Sequence, residues 1–197
     1  MGIYVIVIII FSYFLGCINF GYYYVRYFYK QDVRTVGTNV TGAMNVSRIA
    51  GKKGFLITFA CDAIKGAIPV AICRILQLSN TIAMVCILMV IVGHIYPFQL
   101  SFQGGKGLST AFGAYLIFNP ILIIYLLLTC ALLLPFVRRF TVTSLFSLVI
   151  LPAELYFGYN SWVISGFFLL YTTIILYACR GNLVDFFRGK QDMESNK

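Results

Sequence analysis

Seven apolar runs, at residues 3–28, 54–76, 81–99, 108–118, 120–137, 142–157 and 162–178, take up most of this 197-residue chain. A helix needs roughly 20 mostly apolar residues to cross the hydrocarbon core of a bilayer. Backbone N–H and C=O groups find no water there, so a spanning run must be helical or part of a closed barrel. Barrel strands alternate apolar with polar residues, and these runs are apolar all round. The chain is therefore expected to be an all-α polytopic membrane protein of about seven transmembrane helices. It reads as one domain, 1–197, with a polar tail from about residue 185. The fourth run is short enough to be a half-span. Only 11% of the residues are charged, against about 25% in soluble domains.

The charges that remain set an orientation. Lys and Arg number 15 against 6 Asp and Glu, a net charge of +9. Such a balance suits nucleic acid, but here most of the basic residues lie in short loops between apolar runs, the pattern of a membrane protein facing anionic headgroups. No nucleic-acid partner is expected. Lys30, Arg34, Arg48, Lys52 and Lys53 lie between runs one and two. Lys106 lies between three and four, Arg138 and Arg139 between five and six, and Arg180, Arg188 and Lys190 in the tail. The alternate gaps, near 77–80, 119 and 158–161, hold no Lys or Arg. With seven spans, every basic loop falls on one side. The positive-inside rule then places the N-terminus outside and the C-terminus in the cytoplasm. The first run has no Lys or Arg ahead of it, so it reads as a retained span and not as a signal peptide.

Four polar segments interrupt the apolar pattern. The first, RTVGTNVTGAMNVSRIAGKKG at 34–54, is too polar to span. Gly37, Thr38, Asn39, Thr41, Gly42 and Asn45 offer backbone N–H groups, hydroxyls and amides, and Arg48 adds a planar cationic fork. A helix starting near Thr41 would aim its N-terminal N–H groups at an anion. The second is Asp62 with Lys65, three apart on one face of a span. Charges inside a span mark either a functional site or an ion pair that closes the bundle, and both readings stand. The third, SFQGGKGLSTAFGA at 101–114, brings backbone N–H groups near a ligand through Gly104, Gly105 and Gly107, with Lys106 as a point charge. It is not a Walker A loop, which would need glycine at Leu100 and a hydroxyl at Gly107. The fourth, YACRGNLVDFFRGKQ at 177–191, carries Asn182 and an amphipathic stretch whose Phe186 and Phe187 suit the membrane interface.

His94 is the one histidine, which argues against a metal site. Soluble-type glycerolipid acyltransferases carry H-x-x-x-x-D, and five residues on from His94 stands Gln99, so no such dyad is expected. His94 reads best as a positioning or structural residue. The six cysteines form no C-x-x-C pair and read as small apolar filler.

Taken together, three segments in order resemble the bacterial PlsY family of membrane acyl-phosphate:glycerol-3-phosphate acyltransferases. GTNVTGAMNVSR at 37–48 resembles that family's G-S-G-N-x-G-A-T-N-x-x-R. DAIKGAIPV at 62–70 resembles D-x-x-K-G-x-x-P-V, and GHIYPFQLSFQGGKGLSTAFG at 93–113 resembles its G-H-x-[FY]-P…F-K-G-G-K-G-x-[AS]-T-x-x-G. The resemblance implies a seven-span enzyme of the bacterial cell membrane with its active-site loops in the cytoplasm. It implies transfer of a fatty acyl group from acyl phosphate to the 1-hydroxyl of glycerol 3-phosphate, giving lysophosphatidate and phosphate, with no metal or organic cofactor. It further implies catalytic roles for Lys106, Arg48 and Thr38. Gly37, Asn45, Lys65, His94, Gly104, Gly105, Gly107 and Asn182 would hold the substrates.

The chain departs from the pattern at several positions. Thr38 stands for serine, Asn39 and Val40 for glycine and asparagine, Met44 for threonine and Gln103 for lysine. Toward the C-terminus Ala178, Cys179, Asp185 and Gln191 replace arginine, histidine, arginine and glutamate. These changes remove positive charge where a glycerol phosphate head would bind. The competing readings are a catalytically degenerate paralogue that binds acyl phosphate or a membrane partner, and an anion or lipid transporter. Nothing in the sequence sets an oligomeric state.

Overall fold

The computed structural model describes residues 2–159 and 161–188. Among these residues it has no strand, nine α-helices and two single-turn 3-10 helices, Val33–Thr35 and Phe98–Leu100. The α-helices are α1 Ile3–Cys17, α2 Phe20–Phe28, α3 Ala43–Ile75, α4 Asn80–Ile95, α5 Leu108–Phe118, α6 Pro120–Val137, α7 Phe140–Tyr159, α8 Trp162–Ala178 and α9 Arg180–Phe187. Packing divides the chain into two compact units, residues 1–118 and 119–197.

In the first unit the apolar run 3–28 does not form one helix. Ile18 and Asn19 are extended, with ψ of 92° at each, and separate α1 from α2. A break at membrane depth frees carbonyls that only the protein can satisfy. Here the Asn19 side-chain amide and the Gln99 amide donate to the Cys17 carbonyl, and the Lys65 ammonium donates to that of Ile18. Helix α3 is kinked at Gly51, whose φ of 61° and ψ of −161° belong to glycine. Residues 43–50 thus form a separate helical segment ahead of the second apolar run.

Glycines set the helix crossings of this unit. Gly16 lies on the backbone of Val90 and Gly93 on that of Tyr13, joining α1 to α4. Gly66 lies on Thr110 and Gly113 on Ala63, joining α3 to α5. A Cβ at any of the four would overlap a carbonyl oxygen, so small residues are what let these backbones meet in lipid. Arg74, near the end of α3, donates to the Phe118 carbonyl at the end of α5 (2.7 Å) and to Asn80 at the start of α4 (3.0 Å). It closes the end of the unit opposite the 34–42 and 96–107 loops.

In the second unit α7 packs between α6 and α8. Asn119 accepts from the Ile121 N–H (3.0 Å) and Pro120 opens α6, the tight turn and helix start that the sequence suggests. Arg138, at φ 55°, ends α6. Thr172 donates to the Leu148 carbonyl across α8 and α7 (3.2 Å). Helix α9 turns back on α7: Phe186 meets Phe146 edge-on, with the Arg139 guanidinium 5.4 Å from its ring centre. Phe187 is exposed, so only one of the two expected interface aromatics faces outward.

Among the described residues four segments are long and apolar enough to cross a bilayer: Ile3–Phe28, Ala43–Ile75, Asn80–Leu100 and Pro120–Val137. The pair α8 and α9, bent by 65°, makes a fifth if counted as one span. Helix α5 has 11 residues, about 16 Å at 1.5 Å per residue, so it does not cross alone, as expected of a half-span. Helix α9 runs to Phe187, about where the polar tail is expected to begin; Gln191 lies outside the described residues.

Candidate active site

The site is built from two loops at one end of the first unit. The first loop, 29–42, is organised by one side chain. Asn45 sits in the opening turns of α3, and its amide nitrogen donates to the carbonyls of Val33 (2.8 Å), Val36 (2.9 Å) and Val40 (2.9 Å). Its oxygen accepts from the Thr38 N–H at 3.0 Å. Three carbonyls on one side and an N–H on the other fix which way the amide points. Gly37, at φ 59°, lies directly on the Arg48 side chain and the Asn45 oxygen, where a Cβ would stand 2.6 Å from an Arg48 nitrogen. Arg48 is half-buried and makes no hydrogen bond or ion pair among the described residues.

The second loop, 96–107, is organised by backbone. The N–H groups of Gly104 and Gly105 donate to the carbonyls of Ile95 (3.1 Å) and His94 (3.0 Å), folding the loop onto the end of α4. Gly105 rests on the His94 imidazole, where a Cβ would overlap Nε2, and Gly104 rests on the His94 carbonyl. Lys106 follows, half-buried, and α5 starts at Leu108.

Two bonds tie the loops together. The Thr41 N–H donates to the Gly104 carbonyl (3.2 Å). Arg34 donates to the Leu100 carbonyl (3.1 Å) while gripping both oxygens of Asp32, the shortest contact being 2.7 Å. The Arg34 guanidinium holds the Asp32 carboxyl below the usual carboxylate range, and Asp32 raises the Arg34 value in return. Arg34 also lies 5.0 Å from the ring centre of Tyr22.

Beneath the loops lies a buried polar group. The Lys65 ammonium stands 2.8 Å from Asp62 Oδ1 and donates to the Ile18 carbonyl at 2.6 Å. His94 Nδ1 is 3.7 Å from the same Asp62 oxygen, too far for a hydrogen bond. Both readings of the Asp62–Lys65 pair can now be weighed: its atoms face protein partners on three elements.

The sequence-predicted residues thus divide. Gly37, Thr38, Asn45 and Arg48 come together on the first loop and its helix. His94, Gly104, Gly105, Lys106 and Gly107 come together on the second, and the loops are bonded to each other. Lys65 is fully buried, its ammonium taken up by Asp62 and Ile18. The polar atoms of Asn45 are taken up by loop backbone. Asn182 belongs to the second unit, on α9, where its N–H donates to the Cys179 carbonyl (2.9 Å). Sequence reading missed Asn19, which accepts from the Thr41 hydroxyl at 2.6 Å, and Arg34 with Asp32. A polar Asn inside an apolar run was the available signal for the first. It named Asp62 as the partner of Lys65 but missed that Asp62 also faces His94, because that aspartate comes 32 residues earlier and not five later.

Fold and loops define the class: a helical protein with several segments long and apolar enough to cross a membrane, and two bonded polar loops at one end of its first unit. Comparison with known proteins is specific. The glycerol-3-phosphate acyltransferase family matches over residues 6–189. A glycerol-3-phosphate acyltransferase 1 of Desulfitobacterium hafniense is 38% identical over 72% of this chain and 70% of its own length. That of Thermoanaerobacter pseudethanolicus is 32% identical over 98% of each chain. The crystal structure of PlsY, an integral membrane glycerol 3-phosphate acyltransferase in its glycerol 3-phosphate form, superposes with a TM-score of 0.87 at 26% identity. That match covers 94% of this chain and 93% of the other. The chain belongs to the glycerol-3-phosphate acyltransferase family.

Proposed function

We propose that this chain transfers a fatty acyl group from an acyl phosphate to the 1-hydroxyl of glycerol 3-phosphate. Acylation of glycerol 3-phosphate in phospholipid synthesis follows from the family. The donor and the residue roles are inferred from the site. The glycerol hydroxyl attacks the acyl carbonyl carbon, the bond from that carbon to the phosphate oxygen breaks, and phosphate leaves. The hydroxyl proton passes to a phosphate oxygen. Acyl phosphate is already activated, so no covalent enzyme nucleophile is required, and positioning supplies most of the rate.

The observation that carries this reading is the bonding of the two loops, through Thr41 to Gly104 and Arg34 to Leu100. It supports a shared anion cradle between the loop of Thr38 and Arg48 and the loop of Lys106. Lys106, Arg48 and glycine N–H groups would stabilise charge developing on the carbonyl oxygen and the leaving phosphate. The Thr38 hydroxyl makes no hydrogen bond among the described residues and would orient a substrate oxygen. A role for Asn182 as a substrate ligand rests on the motif match alone. Seven spans, an outer N-terminus and cytoplasmic loops remain the reading of the charge pattern. The grouping of the basic 29–53 and 106 segments at one end of the first unit supports it.

The test is phosphate release by the purified protein in lipid, given palmitoyl phosphate with and without glycerol 3-phosphate. Release that depends on the acceptor, with lysophosphatidate formed, is expected. Folded protein that shows none would defeat the reading and favour a non-catalytic paralogue.

A further inference from the structure

The buried polar group and the two loops form a closed circuit. Ile18 and its neighbour Asn19 lie at the break between α1 and α2. The Ile18 carbonyl accepts from Lys65, and Lys65 pairs with Asp62. Asp62 faces His94, whose carbonyl and imidazole support Gly105. Gly104 accepts from Thr41, and the Thr41 hydroxyl returns to Asn19 at 2.6 Å. Every polar side chain in the circuit is at most 2% exposed. Among its links only the one from Asp62 to His94, at 3.7 Å, exceeds hydrogen-bond length. Neither Asp62 oxygen nor His94 Nδ1 has a hydrogen-bond partner among the described residues, so Lys65 holds Asp62 as an ion pair.

From this circuit we infer that Asp62 is a positioning residue for acyl transfer. It holds Lys65 against the broken α1/α2 junction and faces the imidazole that supports the Gly104–Gly107 loop. It therefore fixes the height and order of the Lys106 loop without touching substrate. The burial of the pair argues for this role. Burying two charges costs free energy that replacement by apolar residues of similar size would avoid. A pair that only filled space would be a poor solution, whereas one that ties a helix break to a loop specifies geometry.

The inference uses the proposed function only for its kinetic readout. Three proteins are compared in lipid: wild type, Asp62→Asn, and Arg74→Met, which removes the clamp at the far end of the same unit. In the ligand-free state, amide hydrogen exchange over residues 104–107 is measured at a fixed interval below each midpoint. With Asp62→Asn, exchange there speeds by about tenfold or more, and KM for palmitoyl phosphate rises by about tenfold, the scale on which losing an outer orienting partner acts. With Arg74→Met, neither moves. Unchanged exchange in Asp62→Asn, or equal speeding in Arg74→Met, overturns the inference. If Asp62→Asn alone leaves an isolated buried ammonium and fails to fold, the charge-neutral pair Asp62→Asn with Lys65→Gln is used instead. Wild-type exchange in that double variant overturns it equally. The exchange readout needs no turnover, so it decides the inference even where wild type shows no acyl transfer.

Discussion

The two loops of the site are built in opposite ways. The first, 29–42, hangs on a single side chain, Asn45, which binds four backbone groups of the loop. The second, 96–107, is held by its own N–H groups on the end of α4, with glycines pressed against His94. A loop organised by one side chain is lost when that side chain is removed. A loop organised by backbone is lost only when something is added. The cations differ in the same way: Arg48 stands on the helix that follows the first loop, and Lys106 stands on the second loop itself.

The largest effect is expected where the proposed chemistry is removed. Lys106→Ala should lower kcat/KM by about 10²–10³, the scale of losing one group that stabilises transition-state charge. The protein should still purify folded. Ordinary turnover in that variant would defeat the assignment of Lys106. The next effect tests the backbone-built loop by addition. Gly104→Ala would drive a methyl into the His94 carbonyl, and Gly105→Ala would drive one into the imidazole. A misplacement of about 1 Å costs on the order of 10² in rate. Gly104→Ala should be the harsher, because a backbone carbonyl yields less readily than a ring. Equal and mild kinetics for both would show that the close approach is not needed.

Asn45 tests the side-chain-built loop by removal. Asn45→Ala strands three carbonyls and one N–H, and should cost about 1–3 kcal/mol of stability, with the loop partly rescued by water. Asn45→Asp should be no better and preferably worse. It keeps an acceptor for Thr38 but turns a carboxylate oxygen toward three carbonyls. Thermal midpoints of the three proteins give the order. An aspartate variant more stable than the alanine one would mean that the amide does not organise the loop.

These contrasts mark what the sequence could convey. Apolar runs gave the helical class directly, since hydrocarbon enforces it, and glycine and lysine marked the Lys106 loop. The chain reading did not reach the break at Ile18 and Asn19, because a long apolar run hides a kink whose cause lies elsewhere, in Lys65 and Gln99. Nor did it assign Asn45 to the loop backbone: an Asn beside glycines looks the same whether its partners are a substrate or its own chain. His94 was read as a positioning or structural residue, with substrate binding implied by the resemblance; it lies buried, with Gly105 resting on its ring. That Asp62, already marked by its pairing with Lys65, also faces His94 was not legible, because contact across helices leaves no fixed spacing.

The smallest expected effect lies at the link between the loops. Asp32 and Arg34 are each about a quarter exposed, at 26% and 21% for their side chains, so solvent screens the pair. Such pairs contribute roughly 0.2–1 kcal/mol. The Asp32 carboxyl is held low by Arg34, so its folded value lies under its unfolded value of about 3.9. The stabilisation is therefore fully present above the unfolded value and fades as pH falls through the lowered folded one. Between pH 5 and 8 the pair should add no pH dependence to stability. Asp32→Asn should impose at pH 7 the loss that acid imposes on wild type. It keeps an oxygen for the Arg34 N–H and leaves the bond to Leu100 possible, so a small fall in midpoint is expected, with rate changed less than twofold or so. The midpoint difference between wild type and Asp32→Asn should shrink as pH is lowered below about 4, where the Asp32 carboxyl of the unfolded chain begins to protonate while the folded one still resists. A difference that stays constant down to pH 3 would mean that the aspartate acts through shape alone, and that the loops are joined chiefly by Thr41 and Gly104.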